Sequence, residues 1–222
     1  TPQSVEESAV AGRLDLRDKV MITIDGASSK DLDDAVSLER DGLGRWVLGV
    51  HIADVSHYVR PGSALDLEAW ERGTSVYFAD QVVPMLPREL SNGICSLNPR
   101  VDRLALSCVM TLTPEGEVVD HTIAKSVIRT TERMTYEDCN ALLSHSDPAL
   151  AERYARILPM LEDMAALSRV LEGRRRRRGA LELDTRESYV VCDESGTPVD
   201  VVLRTPGISE GLIESFMLAA NE

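Results

Sequence analysis

Long apolar runs are missing from this sequence, and none reaches the ~18 residues that a membrane-spanning helix needs. The first residues, Thr1 to Glu7, are polar and acidic, so no secretory leader is expected there. Paired cysteines are missing as well. Cys95, Cys108, Cys139 and Cys192 are scattered, with no CxxC and no ligand-like spacing to histidine. That pattern reads as reduced thiols in a cytoplasmic protein and offers no ligand set for zinc. A basic excess is lacking too. The formal net charge is −13, which argues against a simple nucleic-acid-binding module. An acidic chain can still act on nucleic acid where a metal ion offsets part of its charge and basic residues line a channel. There are no internal repeats and no clear linker, and 43% of the 222 residues are hydrophobic, as in a globular protein. One α+β domain is expected.

What is present in unusual density is aspartate. Asp25, Asp31, Asp33 and Asp34 fall within ten residues, in TIDGASSKDLDDAV. Such a crowd of carboxylates repels itself unless a cation sits among them. Asp31 and Asp33 share a face if the backbone is extended, with Asp34 on the other, and the intervening loop can fold Asp25 back to meet them. Oxygen donors of this kind suit a hard cation, Mg²⁺ or Mn²⁺. An EF-hand beginning at Asp31 is excluded, because Ala35 and Val36 stand where an oxygen ligand and a glycine are required. The competing reading is a polar surface turn, since Asp, Gly and Ser are common turn residues. If the cluster is a site, phosphoryl transfer is the chemistry it favours, because a two-metal site needs three or four convergent carboxylates. No Ser-His-Asp or Cys-His arrangement competes, and His51, His57, His121 and His145 read as strand or surface residues.

Around the cluster the pattern predicts strands over 19–24, 35–39 and 46–52, with a hairpin through Arg40–Arg45. Residues 5–16 read as a short helix or arm. Ser63 caps a helix over 64–72 that ends at Gly73, and residues 74–78 are strand-like. The Pro-, Gly- and Asn-rich segment 83–99 reads as loop with one helical turn. Two long alternating strands, 103–111 and 117–129, join at Pro114-Glu115-Gly116. Thr135 caps a helix through Leu143, and Asp147-Pro148 opens a longer one in which Pro159 predicts a kink or break. Arg174–Arg178 reads either as a solvated helix end or as a contact for a phosphate backbone. A last hairpin spans 190–203, and 208–220 is an apolar helix.

Several long motifs occur in order: TIDGASSKDLDDAV, HIADVSHYVRPGSALDLEAWERGTSVYF, VPMLPRELSNGICSLNPRVDRLALSCVMTL, RMTYEDCNALL, RGALELD and LIESFMLAANE. Together they resemble the catalytic domain of the ribonuclease II/ribonuclease R family, processive hydrolytic 3′→5′ exoribonucleases, from about Val20 onward. The resemblance implies a mixed, largely antiparallel sheet flanked by helices, with residues 1–18 as an arm and 19–222 as part of the catalytic domain. It implies that Asp25, Asp31, Asp33 and Asp34 hold Mg²⁺ (Mn²⁺ as the alternative) at the 3′ end of single-stranded RNA. Asp33 and Asp31 would be the residues closest to the chemistry. Tyr77 would stack on the terminal nucleotide, against the alternative of an inward-facing strand tyrosine, and Tyr136 and Glu214 would contact RNA. Two departures stand out. Leu183 occupies a position where the family often has phenylalanine, and the family's domain runs on past the ANE motif to an arginine that assists cleavage. A catalytically silent RNA-binding module, a fragment of such an enzyme, and a nuclease for DNA are the alternatives.

Overall fold

The computed structural model describes residues 4–79, 81–181, 187–193 and 195–222. Leu183 therefore lies outside the described residues. In chain order the elements are α1 (Glu7–Val10), β1 (Leu14–Asp15), β2 (Ile22–Asp25), β3 (Asp34–Arg40), β4 (Trp46–Ala53), α2 (Val55–Tyr58), α3 (Ala64–Arg72), β5 (Val76–Tyr77) and β6 (Val82–Val83). A short wide helical turn over Glu89–Ile94 precedes β7 (Arg103–Leu112), β8 (Val118–Ile128) and β9 (Glu132–Thr135). Then come α4 (Tyr136–Leu143), α5 (Pro148–Arg153), α6 (Leu158–Arg177), β10 (Glu187–Cys192), β11 (Pro198–Arg204) and α7 (Ile208–Asn221).

Seven strands form one mixed sheet in the order β1-β8-β7-β4-β3-β2-β9. The interior pairs are antiparallel, and the two edge pairs, β1 with β8 and β2 with β9, are parallel. The α+β, largely antiparallel architecture expected from the sequence is the one observed. The segment before residue 19 contributes α1 and the edge strand β1 to it.

Both faces of the sheet are covered, so successive residues of the central strands point into two different cores. On one face Ile22, Ile24, Val36, Leu38, Leu48, Val50, Met110 and Leu112 pack under α4 to α7, with Leu161, Met164, Leu212 and Phe216 fully buried between. On the other face Met21, Leu32, Ala35, Ala53 and Ala105 pack against Leu90, Ile94, Cys95 and Leu97, from the segment predicted as loop with one helical turn, the turn being Glu89–Ile94. That segment is the floor of the second core as well as a connection.

Local signals act where the sequence places them. Ser63 Oγ accepts from Asp66 N, Thr135 Oγ1 from Asp138 N, and Asp147 Oδ1 from Ala149 N and Leu150 N. In the β3–β4 turn Asp41 Oδ1 accepts from Leu43 N and Arg45 N, and Gly44 takes the left-handed conformation (φ 75°). The break tied to Pro159 falls ahead of it, at Tyr154–Ile157, because proline is tolerated in the first turn of α6. The arginine run ends α6, and there it staples rather than merely faces solvent. Arg175 donates to Ser215 Oγ on α7, Arg178 pairs with Glu222, and Arg176 pairs with Glu172.

Candidate active site

β2 ends at Asp25 and β3 begins at Asp34, so the connection between them, residues 26–33, hangs at one end of the central strands. Three braces shape it. Ala53 N donates to Asp33 O at 2.9 Å, which continues the β3–β4 ladder one residue outward. Ser96 Oγ accepts from Leu32 N (3.1 Å) and donates to Lys30 O (2.9 Å), while Leu97 N donates to Leu32 O (2.8 Å). Leu32 is thereby drawn into the second core. Its neighbours Asp31 and Asp33 are left on the opposite side of an extended stretch, as the alternation of an extended chain requires. On the far side Arg133 of β9 reaches back to the 26–29 turn. Its Nη2 donates to Ala27 O (2.9 Å), Ser29 O (2.7 Å) and, more weakly, Gly26 O (3.4 Å).

The four carboxylates are in electrostatic contact. Burial pushes Asp25 up to about 7, helped by Asp34, Asp31 and Asp33 and opposed by the Arg133 guanidinium. Burial, then Asp33, pushes Asp34 up to about 6. Asp33 is raised by burial and by Asp31. Its residue surface is exposed, so this desolvation is partial and only the direction carries weight. Asp25 Oδ2 is buried and, among the described residues, has no hydrogen-bond partner. Burial and mutual repulsion together outweigh the one guanidinium, Arg133, that acts on Asp25. All donors are oxygens, and one is orphaned and buried, which suits a hard cation. Among the described residues, however, no three His, Cys, Asp or Glu side chains are drawn into a closed shell. The donor set fits such an ion in kind and neighbourhood, with like charges still standing apart.

Tyr77, on β5, donates its hydroxyl to Asp31 Oδ2 at 3.3 Å, and its residue surface is 65% exposed. The alternative of an inward-facing strand tyrosine is thereby set aside. Tyr136 follows Thr135, the register partner of Asp25, so it stands beside the cluster at the start of α4. It is half-buried against the helical core. Glu214 is exposed on α7, and no hydrogen bond or ion pair ties it to the aspartates among the described residues. The histidines are elsewhere. His51 is buried between Ser37 Oγ (3.1 Å) and Ser107 Oγ (2.7 Å), and burial pushes it down to about 4. Sequence reasoning missed Arg133 and Ser96 as parts of the site. Each acts on backbone carbonyls or amides, which leaves no pattern in residue type.

The RNB domain family matches residues 13–222. The chain belongs to that family. Among relatives, Ribonuclease R 1 of Lactococcus lactis subsp. lactis (strain IL1403) is 54% identical over 221 residues, covering 100% of this chain and 27% of the relative. Ribonuclease R of Thermotoga maritima is 49% identical over 222 residues, covering 100% of this chain and 31% of the relative. Mycoplasma genitalium RNase R, solved in complex with ribose methylated single-stranded RNA, superposes with a TM-score of 0.90 at 32% identity, over 99% of this chain and 34% of that one. This RNB chain thus spans less than a third of the curated relatives just named.

Proposed function

We propose that the protein is a hydrolytic 3′→5′ exoribonuclease that degrades single-stranded RNA to nucleoside 5′-monophosphates, in the cytoplasm. The observation that carries this reading is the half-buried Asp25 carboxylate, its Oδ2 buried and unpartnered among the described residues, set among Asp31, Asp33 and Asp34 at the end of an RNB sheet, beside an exposed Tyr77. The names of the relatives, and the RNA bound to one of them, point the same way. In this reading residues 19–222 form part of the catalytic domain, with residues 1–18 as an arm.

Asp25, Asp31, Asp33 and Asp34 would hold Mg²⁺, or Mn²⁺ in its place, with Asp25 and Asp34 nearest the ion. When bound, the ion supplies charge neutralisation at the phosphate and a water of lowered pKa. Asp33, with Asp31, orients the attacking water and takes its proton. The oxygen of that water forms the new bond to phosphorus as the bond to the 3′ oxygen of the preceding nucleotide breaks, and that oxygen takes up a proton from solvent water. The Tyr77 ring offers a stacking surface that accepts any base, while its hydroxyl stays tied to Asp31. Tyr136 and Glu214 would complete the pocket around the terminal nucleotide.

The test uses the natural-length protein and an RNA oligomer with a free 3′ hydroxyl, followed on a gel. Stepwise shortening with monophosphate release, stopped by a chelator, is expected. RNA that is bound on a filter but never cut would favour the silent module, and equal cutting of a deoxyribose oligomer would favour a DNA nuclease.

A further inference from the structure

Arg133 takes no part in the chemistry above, yet it is the side chain most involved with the acidic loop. The parallel pairing of β9 with β2 sets Arg133 opposite Thr23 and Thr135 opposite Asp25. From there its Nη2 reaches the carbonyls of Gly26, Ala27 and Ser29, all three in the turn that separates Asp25 from the other carboxylates. Among the described residues the loop is otherwise held on one side only. Residues 30–33 are fixed by Ser96, Leu97 and Ala53, whereas among the described residues the 26–29 turn has a single internal hydrogen bond, Ser29 N to Gly26 O. Among the described residues Arg133 Nε is also buried without a partner, so the side chain carries an unsatisfied donor in order to stand there. Such a placement is destabilising by itself.

We propose that Arg133 is a positioning residue for the metal site: by gripping the three carbonyls of the 26–29 turn it sets the separation of Asp25 from Asp31 and Asp33, so that one cation can meet them together. This rests on the metal-site reading above. A planar guanidinium suits the task, because it presents several donors in a fixed fork, whereas an ammonium is a point donor on a flexible stem. Groups that orient ligands without touching the metal typically change metal affinity by about 10- to 100-fold when removed.

The experiment is a thermal-melt titration of the natural-length protein with Mg²⁺ alone, so that the readout does not depend on turnover. Arg133→Met is expected to raise the Mg²⁺ concentration giving half of the full melting shift by about 10- to 100-fold, with Arg133→Lys between it and the unsubstituted protein. Turnover at saturating Mg²⁺ is expected to recover more than turnover at low Mg²⁺. A lower metal-free melting point with an unchanged Mg²⁺ midpoint would make Arg133 a plain brace and overturn the proposal. If Arg133→Met does not fold, Arg133→Lys is titrated in its place, and a raised or an unchanged Mg²⁺ midpoint decides in the same way. An unsubstituted protein whose melting ignores Mg²⁺ would overturn the metal-site reading itself, and this inference with it.

Discussion

Asp33 differs from its three neighbours in combining an exposed residue surface with a raised carboxyl, which places it where both water and phosphate can reach. Asp33→Asn keeps the shape and removes the charge. Its turnover is expected to fall by about 100-fold or more, with RNA binding and melting temperature nearly unchanged. A marked loss of melting temperature would instead make the turn structural. Tyr77→Ala tests the stacking surface. Because the ring is exposed, the variant should fold normally, while the KM for RNA rises by the loss of about 1–3 kcal/mol of stacking. His51 is buried within the sheet and behaves in the opposite way to the acidic residues. Its pKa falls on folding from 6.5 to about 4, so the unfolded chain binds the proton more readily. The stability it brings is whole above 6.5 and is lost as pH falls through about 4, about 3 kcal/mol in all. Urea melts of the unsubstituted protein and of His51→Gln between pH 7 and 4 should therefore converge as the pH drops.

Among the elements, α7 shows how a small residue sets a docking distance. A Cβ on Gly207 would stand 2.1 Å from Asn140 Nδ2, whose side chain joins α4 to α7 through Ser209 N (3.0 Å) and Glu210 Oε2 (3.2 Å). Gly211, one turn on, meets nothing within 4 Å. Gly207→Ala is expected to destabilise by about 1–3 kcal/mol and Gly211→Ala to stabilise by up to about 1 kcal/mol, so two chemically identical substitutions should move the melting temperature in opposite directions. Elements of this kind were readable in advance to different degrees. α3 was legible to the residue, because Ser63 and Gly73 are local caps whose effect needs no partner. The long strands β7 and β8 were legible because alternation over ten or so residues is hard to mistake. Strands β1 and β9 were not, since two to four residues carry no period and both exist only through pairing with distant strands. At the candidate site, the aspartates and Tyr77 could be singled out from residue type and motif, and the structure brings them near one another. Arg133 could not, because its grip on three carbonyls is a product of β9 docking.

For the molecule as a whole, the price of the site is a sheet end crowded with like charge in a chain of net charge −13. Asp25 and Asp34 are raised from 3.8 to about 7 and about 6, so the folded state holds protons that the unfolded chain has released. The stability from these groups is complete below 3.8 and is lost as pH rises through 6 and 7. Between 6.5 and 8 the unfolded His51 still sheds its last protons and works in the opposite direction, so Asp25 is read as the difference between the protein and its Asp25→Asn variant. In that interval the metal-free protein should melt at lower temperature as pH rises, Mg²⁺ should remove the slope, and Asp25→Asn should lack it. Calorimetry with and without chelator reads all three. Arg133 lies 104 to 107 residues after the carbonyls it grips, and that distance has a consequence in time. At a synthesis rate of about 5–20 residues per second, a growing chain carries the four aspartates for roughly 5–20 s before the strand that braces their turn has been made. Chain order thus keeps the acidic turn unbraced until β9 has been translated, well after the aspartates themselves.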